Sequence, residues 1–150
     1  MKRFRFPLRP VAVLRAHHEM RAREIFAAAV HGYVQCEEVL AATRQRVAEL
    51  GGSLFDGRSG TYQAAEAASL FRAYRAECEQ EMQCERAMIT ARELMQQRRE
   101  EYFEANRKLK VVQRLEEKAR SAYRLEFNRV EQNALDDFAS YRAARRAQLT

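Results

Sequence analysis

The segment Gly52–Ser59, which reads Gly-Ser-Leu-Phe-Asp-Gly-Arg-Ser, has the spacing of a phosphate-binding loop, with Arg58 in place of the usual lysine. Such a loop works because a buried strand leads into it and a helix follows, so that backbone N–H groups point at phosphate. Here an amphipathic helical pattern precedes the glycines, and the sequence contains no strand pattern. We therefore interpret the glycines as a turn and expect no nucleotide site.

Acidic pairs and cysteines are the other residues that could support catalysis. A carboxyl group acting as general acid or base needs a desolvated cleft to shift its pKa, and a nucleophile such as Cys36 or Ser121 needs a neighbouring base. The acidic pairs, all in helical patterns without a cleft, are Glu37–Glu38, Glu100–Glu101, Glu116–Glu117 and Asp136–Asp137. Cys36, Cys78 and Cys84 lack the spacing of metal ligands. We predict a non-enzymatic protein with no catalytic residue, metal site, cofactor or small-molecule substrate.

The composition is typical of long helices. Ala, Glu, Lys, Leu and Arg make up 82 of the 150 residues, whereas Leu, Ile, Val and Phe number only 31, which is enough for a narrow seam between paired helices. The net charge of +6 comes from 27 basic and 21 acidic residues that are interspersed, so the charge pattern favours a solvated helix exterior over a nucleic-acid footprint. No apolar stretch is long enough to span a membrane, and the first residues do not resemble a signal peptide.

Glycine and proline indicate where the helices begin and end. Pro10 is suited to the first turn of helix one, and four of the five glycines fall within 51–60. Thr61 is a plausible helix cap. We predict an all-α fold: a long antiparallel two-helix coiled-coil hairpin, in a single elongated domain covering 1–150. Helix one covers about 10–50, the turn 51–60 and the long helix about 61–147, with the alternative that a short helix over about 61–75 is set off by a bend.

Apolar residues at alternating spacings of three and four predict the seam of the coiled coil. In helix one these residues are Phe26, Ala29, Tyr33, Cys36, Leu40, Thr43, Val47 and Leu50. Late in the second helix they are Leu109, Val112, Glu116, Ala119, Tyr123, Phe127, Val130, Ala134 and Tyr141. Between the two stripes, the stretch 78–99 has mainly Met82, Met88, Ile89 and Met95 among charges, which predicts a weaker seam there.

Charge is distributed unevenly along the chain. The first ten residues carry four basic groups and no acid, the last ten carry three and no acid, and 76–106 holds eight glutamates against four arginines. Because both termini of an antiparallel hairpin lie at one end, we expect that end to be basic and the opposite end to be more acidic. Opposite charges at the two ends would suit two different partners.

Two segments resemble a known family. One is Phe4-Arg-Phe-Pro-Leu8 followed by Val13-Leu14-Arg15; the other runs through Ala105–Lys118 and ends in Glu131-Gln132 and Leu135-Asp-Asp-Phe-Ala139. Together with the chain length and the glycine-rich break, they resemble the FliJ family of the flagellar type III export apparatus, whose injectisome relatives are the YscO-type proteins. The resemblance covers essentially the whole chain. The Glu-Gln-x-x-Leu-Asp-Asp-Phe-Ala ending is its most specific part.

The resemblance implies a cytoplasmic coiled-coil stalk that associates peripherally with the cell membrane. Its implied partners are the flagellar export ATPase ring, which the stalk enters and helps to assemble, the membrane-embedded export gate, and export chaperones; nucleic acid is not among them. Residues implied for ATPase binding are Arg3, Arg5, Arg9, Arg15, Arg129, Glu131, Gln132, Asp136, Asp137 and Phe138. Residues implied for the gate are Phe71, Tyr74 and Cys78, although Cys78 and Glu81 depart from the apolar pattern of the family there.

Other interpretations remain open at this point. Phe71 and Tyr74 also fit as seam residues, and so do Phe138 and Tyr141. A generic structural or adaptor coiled coil that self-associates through an exposed stripe would fit the same pattern. A basic rod that binds RNA or DNA is a third class, and it would lose affinity steeply with salt.

Overall fold

The computed structural model of the chain describes residues 3–57 and 63–147. It contains two helices, α1 (Arg9–Gly57) and α2 (Ala64–Ala147), with no strand among the described residues. The two helices pack against each other in an antiparallel arrangement. Thr43 of α1 contacts Cys84 of α2, whereas Phe26, which comes earlier in α1, contacts Tyr102, which comes later in α2. The predicted all-α helical hairpin is confirmed.

The start of α1 agrees with the sequence, but its end does not. The N–H of Arg9 donates to the carbonyl of Phe6 at 3.3 Å, and Pro10 lies in the first turn, where a missing N–H costs nothing. At the other end α1 continues to Gly57, so the predicted turn over 51–60 is wrong for 51–57. Leu54 is half-buried in continuation of the seam, and this packing extends the helix. Residues 58–62, with the proposed cap Thr61, lie outside the described residues.

Helix α2 is continuous from Ala64 to Ala147. The carbonyl of Gln63 accepts the N–H groups of Glu66 and Ala67 at 3.0 and 3.1 Å, and the carboxylate of Glu66 lies in the first turn, where it interacts favourably with the helix dipole. The alternative of a separate short helix over about 61–75 is therefore wrong for the described residues.

Seam positions in both helices alternate at spacings of three and four residues, except that Phe127 follows Tyr123 after a second step of four. In α1 the predicted stripe from Phe26 to Leu50 is buried or half-buried throughout, which confirms it. The α1 stripe also extends to Ala12, Arg15, Glu19, Ala22 and Leu54. Cys78 and Asn106 of α2 are half-buried beside the seam. The α2 seam positions, all buried or half-buried, are Leu70, Tyr74, Glu77, Glu81, Cys84, Met88, Ala91, Met95, Arg98, Tyr102, Ala105, Leu109, Val112, Glu116, Ala119, Tyr123 and Phe127.

Two parts of the predicted α2 stripe need correction. The sequence predicts seam positions at Val130, Ala134 and Tyr141, but all three are exposed. The described N-terminal residues pack on α2 only as far as Tyr123, and the last half-buried position of α2 is Phe127. In the methionine-rich stretch, Met88 and Met95 lie in the seam, whereas Met82 and Ile89 are exposed.

The chain forms two compact units. The hairpin unit comprises the described residues of Glu19–Glu104, and the terminal unit comprises the described residues of Met1–His18 and Ala105–Thr150. The terminal unit thus brings the N-terminal segment and the second half of α2 together. Neither helix, over its described residues, contains a stretch apolar enough to cross a membrane.

Candidate functional site

A polar layer lies at the centre of the hairpin unit. Thr43 is fully buried, and its hydroxyl donates to the carbonyl of Val39 at 2.9 Å and accepts from the guanidinium of Arg46 at 3.1 Å. The sulfur of buried Cys84 lies 3.9 Å from that hydroxyl and accepts from the amide of Gln80 at 3.5 Å. Because each polar group has a partner, the layer is compatible with burial. Cys84 is thus a seam residue.

Ion pairs join the two helices beside this layer. Arg44 donates to Glu81 at 3.0 Å and to Glu85 at 3.4 Å, and Arg46 donates to Glu77 at 3.2 Å. The arginines are about half exposed, so each pair contributes only about 0–1 kcal/mol. Their main consequence is the alignment of basic α1 residues with the acidic stretch of α2.

An acidic side chain in the seam marks the beginning of the hairpin unit. Glu19 is only 8 % exposed, and its carboxylate accepts from Arg23 at 2.8 Å. The pKa of Arg23 is raised above its ordinary value, first by a hydrogen bond with Tyr102 and then by the charge of Glu19. The ring of Tyr102 stacks on Phe26 at 6.0 Å between centroids. This cluster was not predicted from the sequence. The seam spacing of four and three residues, continued from Phe26 toward the N-terminus, would have indicated Glu19.

The three residues implied for gate binding have different environments in the hairpin unit. Phe71 is 56 % exposed, whereas Tyr74 and Cys78 are half-buried. The ring of Tyr74 lies against Gly51, at 3.5 Å from the position of an added Cβ. A hydrogen bond with Cys78 is the main cause that raises the pKa of Tyr74. Tyr74 is therefore a seam residue, and Phe71 is the one side chain of the three that is largely open to a partner.

In the terminal unit, the N-terminal segment packs on α2. Phe6 is buried, and the ring of Phe4 lies 5.4 Å from that of Tyr123 with the Arg120 guanidinium 5.8 Å from its centroid. A groove between the two segments is lined by Phe4, Arg5, Phe6, Pro7, Arg9, Pro10, Ala12, Val13, Ala16, Leu109, Gln113, Glu116 and Arg120. Of the residues implied for ATPase binding, this groove brings together Arg5 and Arg9. It adds Arg120, which the sequence did not single out.

The remaining N-terminal arginines differ from each other. Arg3 is exposed, as are Arg5 and Arg9. Arg15 occupies a seam position of α1 and is half-buried. Three of the four predicted N-terminal arginines are therefore exposed.

The C-terminal part of α2 is open along its length. Every residue over 128–145 is exposed, including Leu135, Phe138 and Tyr141, which are each more than 60 % exposed. The alternative that Phe138 and Tyr141 close the seam is therefore wrong. The six residues implied for ATPase binding in this part are all exposed: Arg129, Glu131, Gln132, Asp136, Asp137 and Phe138.

Those six residues lie on more than one face of the helix. Arg129, Gln132 and Asp136 are spaced three and four apart and share one face, and Glu131 and Phe138 share another. The second face also carries Leu135, so one side of this segment is polar and the other presents large apolar groups. Such a helix can bind a protein surface by two different chemistries. No group of acidic, histidine or cysteine side chains among the described residues is arranged to hold a metal ion.

Comparison with known proteins identifies the family. No curated protein and no solved structure matches the chain significantly. The family model described as "Flagellar FliJ protein" matches residues 4–148, nearly the whole chain. Members of that family are coiled-coil components of flagellar protein export. This chain, whose described residues form a helical hairpin, belongs to the flagellar FliJ protein family.

Proposed function

We propose that the chain works as a single coiled-coil stalk of the flagellar export apparatus, on the cytoplasmic face of the cell membrane. The terminal unit binds the export ATPase ring and promotes its assembly. The hairpin unit contacts the membrane-embedded export gate, and export chaperones bind as well. The proposal rests on membership of the FliJ family.

The observation that carries the ATPase assignment is the open C-terminal part of α2. Leu135, Phe138 and Tyr141 are all exposed on this helix, so three large apolar side chains are in contact with water. Burying them against a partner would be favourable by about 25 cal/mol per Å² of apolar surface. The residues over 128–145 have the length to cross a partner surface of about 27 Å at 1.5 Å per residue.

Charge in the terminal unit supports the same partner. Exposed Arg5 and Arg9 line the groove with Arg120, and arginine binds carboxylates through paired hydrogen bonds. We expect an acidic segment of the ATPase ring to bind this groove through Arg5 and Arg9, since Arg120 already pairs with Glu116 at 3.0 Å. Arg129 and Asp136 provide charges of both signs on the open helix. Mixed charge at the rim of an apolar contact favours specificity and correct orientation.

The gate assignment is carried by Phe71 alone. Its exposed ring can enter an apolar pocket of the gate, whereas Tyr74 packs in the seam against Gly51. We expect Phe71→Ala to weaken gate binding and Tyr74→Ala to act mainly by lowering the stability of the hairpin unit.

Binding to the purified export ATPase of the same organism tests the proposal. The variant carries Ala at Glu131, Gln132, Asp136 and Asp137, all exposed, so its helix content stays unchanged. We expect at least about a tenfold loss of affinity, since losing interface hydrogen bonds to charged groups costs about 1.5–3 kcal/mol each.

The matched control replaces three acids and one amide elsewhere. Glu79, Glu93, Gln96 and Glu100 are equally exposed in the hairpin unit, and their replacement by Ala should leave ATPase affinity as it is. If the terminal variant binds the ATPase as tightly as the unchanged protein, or if both variants lose affinity equally, the assignment of this segment is wrong.

A further inference from the structure

In the terminal unit, the packed part of α2 extends beyond the part that α1 covers. The seam positions of α1 begin at Ala12, which lines the same groove as Glu116 of α2. After Glu116, α2 has three more half-buried seam positions, Ala119, Tyr123 and Phe127. The cover of this stretch comes from the N-terminal segment, defined here as residues 3–8, which precedes α1 and is not helical.

Aromatic side chains hold the N-terminal segment on α2. Phe6 is buried, and the ring centroid of Phe4 lies 5.4 Å from that of Tyr123. The guanidinium of Arg120 lies 5.8 Å from the Phe4 centroid. Tyr123 in turn contacts Phe127, one helical turn later, at 6.2 Å between ring centroids. A row of three rings, Phe4, Tyr123 and Phe127, therefore links the N-terminal segment to the last packed turn of α2.

The part of α2 beyond Phe127 is a weak helix by itself. Every residue over 128–145 is exposed, so packing supports the backbone little there. Asn and Asp favour turns and caps over helix interiors, and they occur in this part as Asn128, Asn133, Asp136 and Asp137. Such a stretch avoids the unfavourable nucleation step by continuing a helix that is already formed. The helical population over 128–145 therefore depends on the turn that ends at Phe127.

We propose that the N-terminal segment is a positioning element for the open part of α2, and that Phe4 is its main positioning residue. With the Phe4 ring in place, Tyr123 and Phe127 stay packed, and α2 is helical up to the start of the open part. When this ring is removed, the last packed turn retreats toward Glu116, about three turns earlier at 3.6 residues per turn. The open part then loses the helix that it continues. The N-terminal segment thus controls the shape of a surface that lies beyond its own contacts with α2.

This positioning role couples two parts of the terminal unit. Arg5 lies between Phe4 and Phe6 in the chain, and it is exposed and lines the groove. A partner carboxylate bound to Arg5 would hold both rings against α2 and so raise the helical population of the open part. Binding in the groove and binding along 128–145 therefore strengthen each other, since linkage between two sites is reciprocal. For the identity of the partner, the inference rests on the proposed function.

Amide hydrogen exchange of the free full chain tests the inference without any partner. The variant is Phe4→Ala. The matched control is Phe26→Ala, since Phe26 is also half-buried and its ring stacks on Tyr102 of α2 at 6.0 Å, but in the hairpin unit. Exchange over 116–127 responds to any loss of packing, so the stretch to follow is 128–140. We expect Phe4→Ala to speed exchange there at least about threefold, as the loss of one aromatic pair predicts, and Phe26→Ala to leave it unchanged.

A conservative variant shows whether the ring itself is needed. Phe4→Tyr keeps the ring that contacts Tyr123 and Arg120, so exchange over 128–140 should match that of the unchanged protein. The inference is overturned if Phe4→Ala leaves exchange over 128–140 at its original rate. It is also overturned if Phe26→Ala speeds this exchange as much as Phe4→Ala does.

Affinity for the export ATPase then shows whether Phe4 acts through the open part. Phe4→Ala alone should weaken binding about threefold or more. Added to the variant with Ala at Glu131, Gln132, Asp136 and Asp137, it should cause little further loss, because the side chains that it positions are already removed. Equal losses in both backgrounds would mean that Phe4 binds the ATPase directly, which overturns its role through the open part. If exchange is faster but ATPase affinity is unchanged, the positioning role stands and the assignment of 128–145 to the ATPase is wrong.

Discussion

Replacing Gly51 and Gly52 together by Ala tests whether α1 extends through the glycine-rich segment. Both residues lie inside α1, and neither has a positive φ. A Cβ at Gly51 would lie 3.5 Å from the Tyr74 ring, an ordinary van der Waals contact, and a Cβ at Gly52 would meet nothing within 4 Å. Ala can therefore be accommodated at both positions without displacing a neighbour.

The sign of the effect distinguishes a helix from a turn. In a helix, each Gly→Ala change stabilises by about 0.5–1 kcal/mol, because Ala loses less backbone entropy on folding. The double variant should then gain about 1–2 kcal/mol in free energy of unfolding. In a turn with left-handed glycines, Ala would instead cost about 1–2 kcal/mol per residue.

Urea unfolding followed by circular dichroism measures the difference. With a slope of about 2 kcal/mol per M, the gain should raise the midpoint by about 0.5–1 M. The protein concentration is kept at about 1 µM so that self-association does not contribute. Gly32→Ala is the control, since Gly32 is helical in both interpretations, and it should be stabilising. A lowered midpoint for the double variant with a raised one for Gly32→Ala would refute the continuous helix.

Two further predictions concern stability. Leu40 is 4 % exposed and lies in the seam, so Leu40→Ala should lower the free energy of unfolding by about 2–5 kcal/mol in a urea titration. Leu125 is 72 % exposed, so the control Leu125→Ala should change the free energy of unfolding by less than about 0.5 kcal/mol. Equal effects of the two variants would contradict the burial of Leu40 in the seam. The Tyr33 hydroxyl donates to the carboxylate of Glu37, which raises the tyrosine pKa above its ordinary value of 10.0. The contribution of this bond to stability is therefore present below pH 10 and is lost as the pH rises through the raised pKa. Tyr33→Phe should remove a late-titrating phenol from the ultraviolet absorbance titration, and loss of a phenol that titrates at the ordinary tyrosine pKa would show that the bond does not form.

Periodicity predicted the paired helices well, because a seam imposes a spacing that the sequence must obey. The stripe from Phe26 to Leu50 was found from side-chain types alone and is buried as expected. Glycine was the misleading signal. Gly51 and Gly52 predicted a turn from local preference, whereas packing of the neighbouring Leu54 in the seam keeps them helical, and tertiary packing outweighs propensity differences of about 1 kcal/mol.

Polar residues in the seam could be located from the sequence only by extending the three-and-four spacing of the apolar residues, because polar residue types are typical of solvent-exposed positions. Glu19 and Glu77 occupy seam positions for which an apolar residue would be expected, and their arginine partners compensate their charge. The exposed end of α2 shows the opposite difficulty. Val130 and Tyr141 continue the apolar pattern, but a repeat in one helix does not reveal how far its partner extends.

The open C-terminal part of α2 has a consequence for how this chain recognises a partner. An isolated helix of that length is marginally stable in water, because nucleation is unfavourable and each residue adds little. Without seam contacts, the helical population over 128–145 depends on local interactions and falls toward the C-terminal end, so this stretch opens far more often than the packed part around Val112. If this stretch binds the export ATPase as proposed, binding would have to order the backbone as well as bury Phe138. That requirement would lower the affinity for a given contact area and favour rapid release of the partner.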